Sequence, residues 1–425
     1  MKNILTKFNE GKVSMAKQIN ELTNEEKRVN VYYGSGSPTD PSKINSNMEL
    51  NDLNLNWHEK ELPEKIRTKH VHRLHPYLGK FIPQLVEIFL RKYFKPGMTV
   101  LDPFAGSGTT LVQANELGIN SIGFDISAFN VLLMQAKVKK YDLEVVKHEI
   151  TDILYKVRQL TVSGIHQPSI LDNTNNDIKI NENNEYLKQW FAPQTRKELL
   201  TYRELIKDYQ YQEILKIILS RSARSARLTT HFDLDFPKKP QTEPYWCYKH
   251  SRTCKPTTSA YKFLKRYSID SIARLEEFDR LRTDAFVNVI HGDSQKEEIP
   301  RIDGVITSPP YVGLIDYHDQ HRYAYELLGL EDKSSLEIGS AKDGSSQKAK
   351  CAYQDSIVNV FKRILPSMPS GGYFIVVAGD KHNLYSEIAK KCNVLEEAVI
   401  KRHVNRRTGR RSSEFFESVF IWKKP

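Results

Sequence analysis

Apolar positions in this chain change their period several times, and the changes outline its elements. In FIPQLVEIFLRKYF (81–94), Phe81, Leu85, Ile88 and Phe89 recur at helical spacing, and Pro96-Gly97 ends the run. MTVLDPF then reads as a short strand and AGSGTTLVQANELG as a glycine turn opening a helix that closes at Gly118. NSIGFDI reads as a second strand, and SAFNVLLMQAKVKK as a second helix with Ser127 as N-cap. Strand, helix, strand, helix predicts a parallel, doubly wound sheet.

The alternation stops near 141. Up to 282, helical stretches (142–160 and 184–220) flank the polar segment LDNTNNDIKINENN, and no strand pattern stands out. Strand patterning resumes at AFVNVIHGD (285–293) and IDGVITSPP (302–310). YQDSIVNVFKRIL follows as a helix and GGYFIVVAG as a strand. VLEEAVIKRHVNRRTGRRSSEFFESVFIWKK reads as two strands around a basic loop, an antiparallel hairpin at the sheet edge. The Asn-rich first stretch, 1–61, reads as a loosely structured polar arm. The chain thus divides at about 61, 140 and 282, into an arm, a first sheet half, an insertion and a second sheet half.

Composition narrows the setting. The chain has 425 residues, 39% of them hydrophobic, enough for a sizeable core. No apolar run approaches the ~18 residues of a membrane span, and the first residues lack the apolar stretch of a secretory leader. Cys247, Cys254, Cys351 and Cys392 are too scattered for a disulfide framework, so a cytoplasmic location is expected. The net charge is +11, which favours polyanionic partners. The charge is concentrated: between 221 and 282, Lys and Arg outnumber Asp and Glu two to one, with Phe232, Phe236, Tyr245, Trp246 and Tyr248 interleaved.

Two strand ends carry candidate chemistry. In VITSPPYVGL (305–314), adjacent prolines stop a strand and fix Ser308 and Tyr311 at its C-terminal lip, because proline offers no ladder donor and has a fixed φ. In DPFAGSGTT (102–110), a strand delivers Asp102 and Pro103 to a turn where Gly106 and Gly108 let the backbone approach a ligand. It is neither GxGxxG nor a Walker loop. Asp125 ends the next strand, where an acidic residue is placed for ribose hydroxyls, and Asp293 ends a third. Three aspartates and Ser308 therefore gather on the rim where open α/β sheets bind ligands.

DPFAGSGTT, GFDIS, HGDS and TSPPY together resemble the amino-methyltransferases that methylate DNA with S-adenosylmethionine, and TSPPY most resembles their cytosine-N4 type. HPYLGKFIPQL (75–85) resembles the motif that precedes the glycine turn in that family. The resemblance covers roughly 65–150 and 283–425. It implies a Rossmann-like class I methyltransferase fold, with a mainly helical target-recognition region inserted between two catalytic halves. It further implies a cofactor site of Tyr77, Gly79, Asp102, Pro103, Phe104, Gly106, Gly108, Asp125 and Asp293. Double-stranded DNA is the implied substrate, and a cognate restriction endonuclease the implied functional neighbour. Many cytosine-N4 members place SPPY before the glycine turn; here it follows the insertion.

The chemistry gives SPPY a reason. The exocyclic amine of cytosine is a poor nucleophile, its lone pair being delocalised into the ring. Fixed acceptors for its hydrogens, the Ser308 hydroxyl and the Pro309 carbonyl, favour the tetrahedral nitrogen that attacks a methyl group. Pro310 stiffens the turn, and Tyr311 can stack on a base flipped out of the duplex. Methylation at cytosine C5 would need a cysteine nucleophile, and none of the four lies in these motifs. For DNA contact the candidates are Arg221, Arg224 and Arg227, at helical spacing on one expected face, Lys238 and Lys239, and Arg406, Arg407 and Arg410 in the terminal hairpin. Cys247, His250 and Cys254 supply three local ligand types, one short of a structural zinc set; nothing in the sequence fixes His231 as a fourth, and no metal is assigned.

Overall fold

The fold was analysed in a computed structural model that describes residues 29–161, 183–404 and 415–425. Strand β1 is Asn30–Tyr32, followed by helix α1 at Pro83–Tyr93 and strand β2 at Thr99–Asp102. Then come α2 (Thr109–Glu116), β3 (Asn120–Asp125) and α3 (Ala128–Val138). The insertion supplies α4 (Leu143–Thr161), α5 (Glu185–Trp190), α6 (Pro193–Leu205) and α7 (Gln212–Ala226), the small strands β4 (Tyr245–Cys247) and β5 (Arg252–Cys254), and α8 (Tyr261–Asp279). The second half contains β6 (Val287–His291), β7 (Gly304–Thr307), α9 (Arg322–Leu328), α10 (Gln347–Ile364), β8 (Tyr373–Ala378), α11 (Tyr385–Cys392), β9 (Leu395–His403) and β10 (Phe416–Lys423).

The main sheet runs β1-β9-β10-β8-β7-β2-β3-β6. Only β10 is antiparallel to its neighbours; the other pairings are parallel. Side-chain alternation builds the two layers. On β8, Phe374 and Val376 pack with Ile357 and Phe361 of α10, while Ile375 and Val377 pack with Leu85 and Phe89 of α1. With both faces covered, the strands read as continuous apolar runs. The result is the Rossmann-like, mostly parallel doubly wound sheet.

Two expectations change. The terminal hairpin is not the sheet edge, because β1 pairs with β9 outside it, Val31 opposite Val399. The described part of the arm, 29–61, is correspondingly more ordered than its composition suggests: Leu53 and Leu55 are buried in the α1 layer. The insertion packs on both catalytic halves. Ile214, Ile217 and Ile218 of α7 and Leu199 and Tyr202 of α6 share one apolar core with Phe129 and Leu133 of α3 and with Tyr323 and Leu327 of α9.

Candidate functional site

The C-terminal ends of β2, β3, β6 and β7 border a cleft of about 850 Å³, its open mouth included. Tyr77, Gly79, Pro103, Phe104, Gly106, Asp125, Asp293, Ser308 and Pro310 all line it. The turn after β2 shows why glycine is needed. Gly106 (φ 51°) and Gly108 (φ 76°) are left-handed, and a Cβ on Gly108 would come within 2.8 Å of Met134. Gly108 itself does not face the cleft; it turns the chain into α2 as the N-cap residue.

Asp125 fastens this turn to the rest of the cleft. Its carboxylate accepts from the Gly106 amide (2.8 Å), the Ser127 amide (2.8 Å) and Asn130 Nδ2 (3.1 Å). Asn130 Nδ2 also donates to the Tyr77 hydroxyl (3.1 Å), which ties the HPY segment to the same carboxylate. Burial raises the Asp125 pKa, and these three hydrogen bonds oppose the rise. Asp293 has a double role, lining the cleft and accepting the Gln295 amide (3.0 Å) in its own turn.

Asp102 departs from expectation. It is fully buried and absent from the cleft wall. It accepts Thr307 Oγ1 (2.6 Å), Thr110 Oγ1 (2.7 Å) and the Phe104 amide (3.2 Å), binding the ends of β2 and β7 and the start of α2 together. Burial raises its pKa to about 6. Its place is beneath the cleft wall.

The SPPY segment faces two ways. Ser308 and Pro310 line the cleft, whereas Tyr311 lines an adjoining cavity of about 1170 Å³ with Gly379, Asp380 and Phe415. Pro309, between Ser308 and Pro310 in sequence, lines neither. The Tyr311 hydroxyl donates to Glu417 (3.0 Å), and burial, then the nearby Glu417 charge, pushes its pKa well up.

A family model described as DNA methylase matches residues 2–137. Type II methyltransferase M.MjaII of Methanocaldococcus jannaschii is 39% identical, over 85% of this chain and 82% of that protein. The chain belongs to the type II DNA methyltransferase family. M.BsoBI of Geobacillus stearothermophilus is 24% identical over 65% of this chain, and M.MvaI of Kocuria varians 25% over 63%. The chain spans 56% and 57% of those two relatives.

The methyl donor of this methyltransferase is S-adenosylmethionine. The cleft suits it. Ser107 Oγ, Thr109 Oγ1 and Asn130 Oδ1 are buried there without a hydrogen-bond partner among the described residues. Two hydroxyl donors at the start of α2, where the helix dipole favours anions, match a carboxylate, and the Asn130 oxygen matches an ammonium. Sequence reasoning missed Asn130, and also Tyr317, Leu336 and Ile338, which close the cleft from the segment after SPPY. A signal existed: Leu336 and Ile338 are isolated apolar residues in a polar stretch.

The basic candidates divide sharply. Arg221 is 8% exposed, pairs with Asp270 (2.6 Å) and lies 4.2 Å from the centre of the Tyr267 ring. Arg224 pairs with Asp235. Arg227 lies just beyond α7, donates to the Leu234 carbonyl and sits over Tyr323. These three do not form a solvent-facing basic face: Arg221 and Arg224 are ion-paired inside the insertion and Arg227 is buried. Lys238 and Lys239 are exposed. Arg406, Arg407 and Arg410 lie outside the described residues. Among the residues after SPPY, His321 is buried against Phe129, and burial lowers its pKa to about 3, so it is neutral. Arg322 pairs with Glu326 (3.3 Å). No helix among the described residues is long and apolar enough to cross a membrane.

Proposed function

We propose that this methyltransferase modifies the exocyclic N4 amine of a cytosine flipped out of a short, specific duplex DNA sequence. The observation that carries the reading is Ser308 on the cleft wall, with Tyr311 three residues on in the adjoining cavity. Cofactor on one side and base on the other would meet across this turn.

The bound cofactor supplies an electrophilic methyl group on a positively charged sulfur. The chain's own residues then prepare the nucleophile. The Ser308 hydroxyl and Pro309 carbonyl accept the amino hydrogens, which frees the nitrogen lone pair from the ring. The prolines hold these oxygens still, so little reorganisation is needed as charge develops. Tyr311 stacks on the base and keeps its plane fixed, its hydroxyl anchored on Glu417. An Asp or Asn at position 308 would be the more common adenine-N6 pattern; Ser308 favours cytosine.

DNA is held by Lys238 and Lys239 from the insertion and by Arg406, Arg407 and Arg410 from the terminal hairpin. The enzyme acts in the cytoplasm, on the nucleoid, and protects DNA from a cognate endonuclease that is a functional neighbour and not a subunit. Single-base methylome sequencing of cells expressing this chain alone tests the reading. N4-methylcytosine in one short motif supports it. N6-methyladenine would move the target to adenine with fold and donor unchanged. Unmodified DNA would overturn the DNA reading and direct the search to RNA bases.

A further inference from the structure

We propose that His231, Cys247, His250 and Cys254 form a structural zinc site that pins the segment between α7 and α8. This inference does not depend on which base is methylated. The four residues come from four places. Cys247 ends β4, Cys254 ends β5, His250 sits in the turn between them, and His231 arrives from the loop after α7. One ligand atom from each lies within 4.8 Å of all the others.

The spacings fit a tetrahedral ion. With Zn–S of about 2.3 Å and Zn–N of about 2.0 Å, sulfur and nitrogen around one zinc stand roughly 3.5 Å apart. Here His231 Nδ1 is 3.6 Å from Cys247 Sγ, and His250 Nδ1 is 3.5 Å from both Cys247 Sγ and Cys254 Sγ. Hydrogen bonding alone does not explain this convergence. One ring nitrogen has one proton or one in-plane lone pair, so His250 Nδ1 cannot serve two thiols at once. A cation at the common centre satisfies all four. Two thiolates and two neutral imidazoles around Zn²⁺ carry no net charge.

The local fold also calls for a clamp. β4 and β5 have three residues each and form a sheet of their own, below the size at which a two-stranded ribbon is stable alone. Trp246 (55% exposed) and Tyr248 (80%) turn outward, so little apolar burial holds the ribbon. The His250 amide donates to the Cys247 carbonyl (3.1 Å), and Ser251 is left-handed (φ 48°), a tight turn that brings Cys and His side chains to one point. Tyr245 OH is 2.9 Å from His231 Nδ1. When that nitrogen binds the ion, the phenol becomes an outer donor to the thiolates. The other compact cluster, His70, His72 and Glu116, has three members, and His70 Nε2 is already paired with Glu116 at 2.8 Å.

The test is metal analysis of the full-length chain, tag removed, from zinc-supplemented cells, with parallel cobalt reconstitution. The expected result is close to one zinc per chain, lost in Cys247→Ser and in His250→Ala. Cobalt should give the intense visible bands of a tetrahedral site together with a thiolate charge-transfer band. Zinc far below stoichiometry together with no tetrahedral cobalt spectrum would overturn the proposal. So would a Cys247→Ser chain that keeps the full metal content. Should the variants not fold, the cobalt spectrum of the unaltered chain decides alone.

Discussion

The Tyr311 hydroxyl donates to Glu417 of β10 at 3.0 Å, and Glu417 lies 3.5 Å from the buried guanidinium of Arg402. The tyrosine of the SPPY turn is therefore held directly from the antiparallel strand β10. Tyr311→Phe keeps the ring and releases one hydrogen bond, a loss of about 1 kcal/mol, or a few-fold in turnover. Tyr311→Ala removes the stacking surface, worth about 1–3 kcal/mol per base, and should lower turnover by roughly ten- to a hundredfold. Steady-state methyl transfer to duplex DNA separates the two. Equal activity of the alanine variant would make Tyr311 a purely structural residue.

Ser308→Ala should lose about 100- to 1,000-fold in kcat, the usual cost of one preorganised transition-state partner. Cofactor affinity, read by calorimetry, should change little if the hydroxyl accepts from the target amine as proposed. A loss of cofactor binding with unchanged kcat would reverse that assignment.

Asp102 predicts a pH dependence of stability. Its folded pKa, about 6, is raised above the ordinary carboxyl value of 3.8 by burial. The folded state therefore holds this proton more tightly than the unfolded state does. Its contribution is most favourable below pH 4 and declines as pH rises through about 6, by at most about 3 kcal/mol. Asp102→Asn should flatten that part of the stability profile. Denaturant titrations between pH 4 and 7 give the comparison, and parallel profiles for the two proteins would refute it.

The two sets of cations should respond differently. Arg221→Ala removes the ion pair with Asp270 and the contact with the Tyr267 ring; Asp270, 27% exposed and still beside Arg274, keeps a partner, so the cost should be about 1–3 kcal/mol of stability. Lys238→Ala with Lys239→Ala should leave stability unchanged, weaken DNA binding, and reduce the salt slope by up to about 2. Binding measured over a range of salt checks this. An unchanged slope would remove both lysines from the DNA surface.

Much of the sheet was legible because its strands are either short apolar runs or end on chemistry-bearing residues. The turn after β2 and the Ser127 cap of α3, which accepts the Asn130 amide, follow from local rules. β1 was not legible: three residues in an Asn-rich stretch have no period, and their pairing with β9 is a contact across the whole chain. Arg221, Arg224 and Arg227 misled for a related reason. Helical spacing shows that charges share a face but not what packs on that face; Asp270 and Tyr267 arrive from α8, dozens of residues later. Asp102 was read as a ligand because it ends a strand. Thr110 and Thr307, which claim both its oxygens, reach it only through the fold. The sequence offers His231 as a fourth member of the cysteine–histidine cluster but does not fix its place, which comes only through the fold.

The apolar core shared by α6, α7, α3 and α9 has a consequence for how such enzymes change specificity. A recognition region that can be exchanged as a cassette must end at a seam where few contacts cross. Here the helices of the insertion are the rear wall of the cofactor half, so the seam does not lie at 141 or 282. It lies inside the insertion, near 228 and 260, where the chain leaves α7 and returns to α8. A graft confined to that strap preserves the shared core; a graft of the whole insertion divides it.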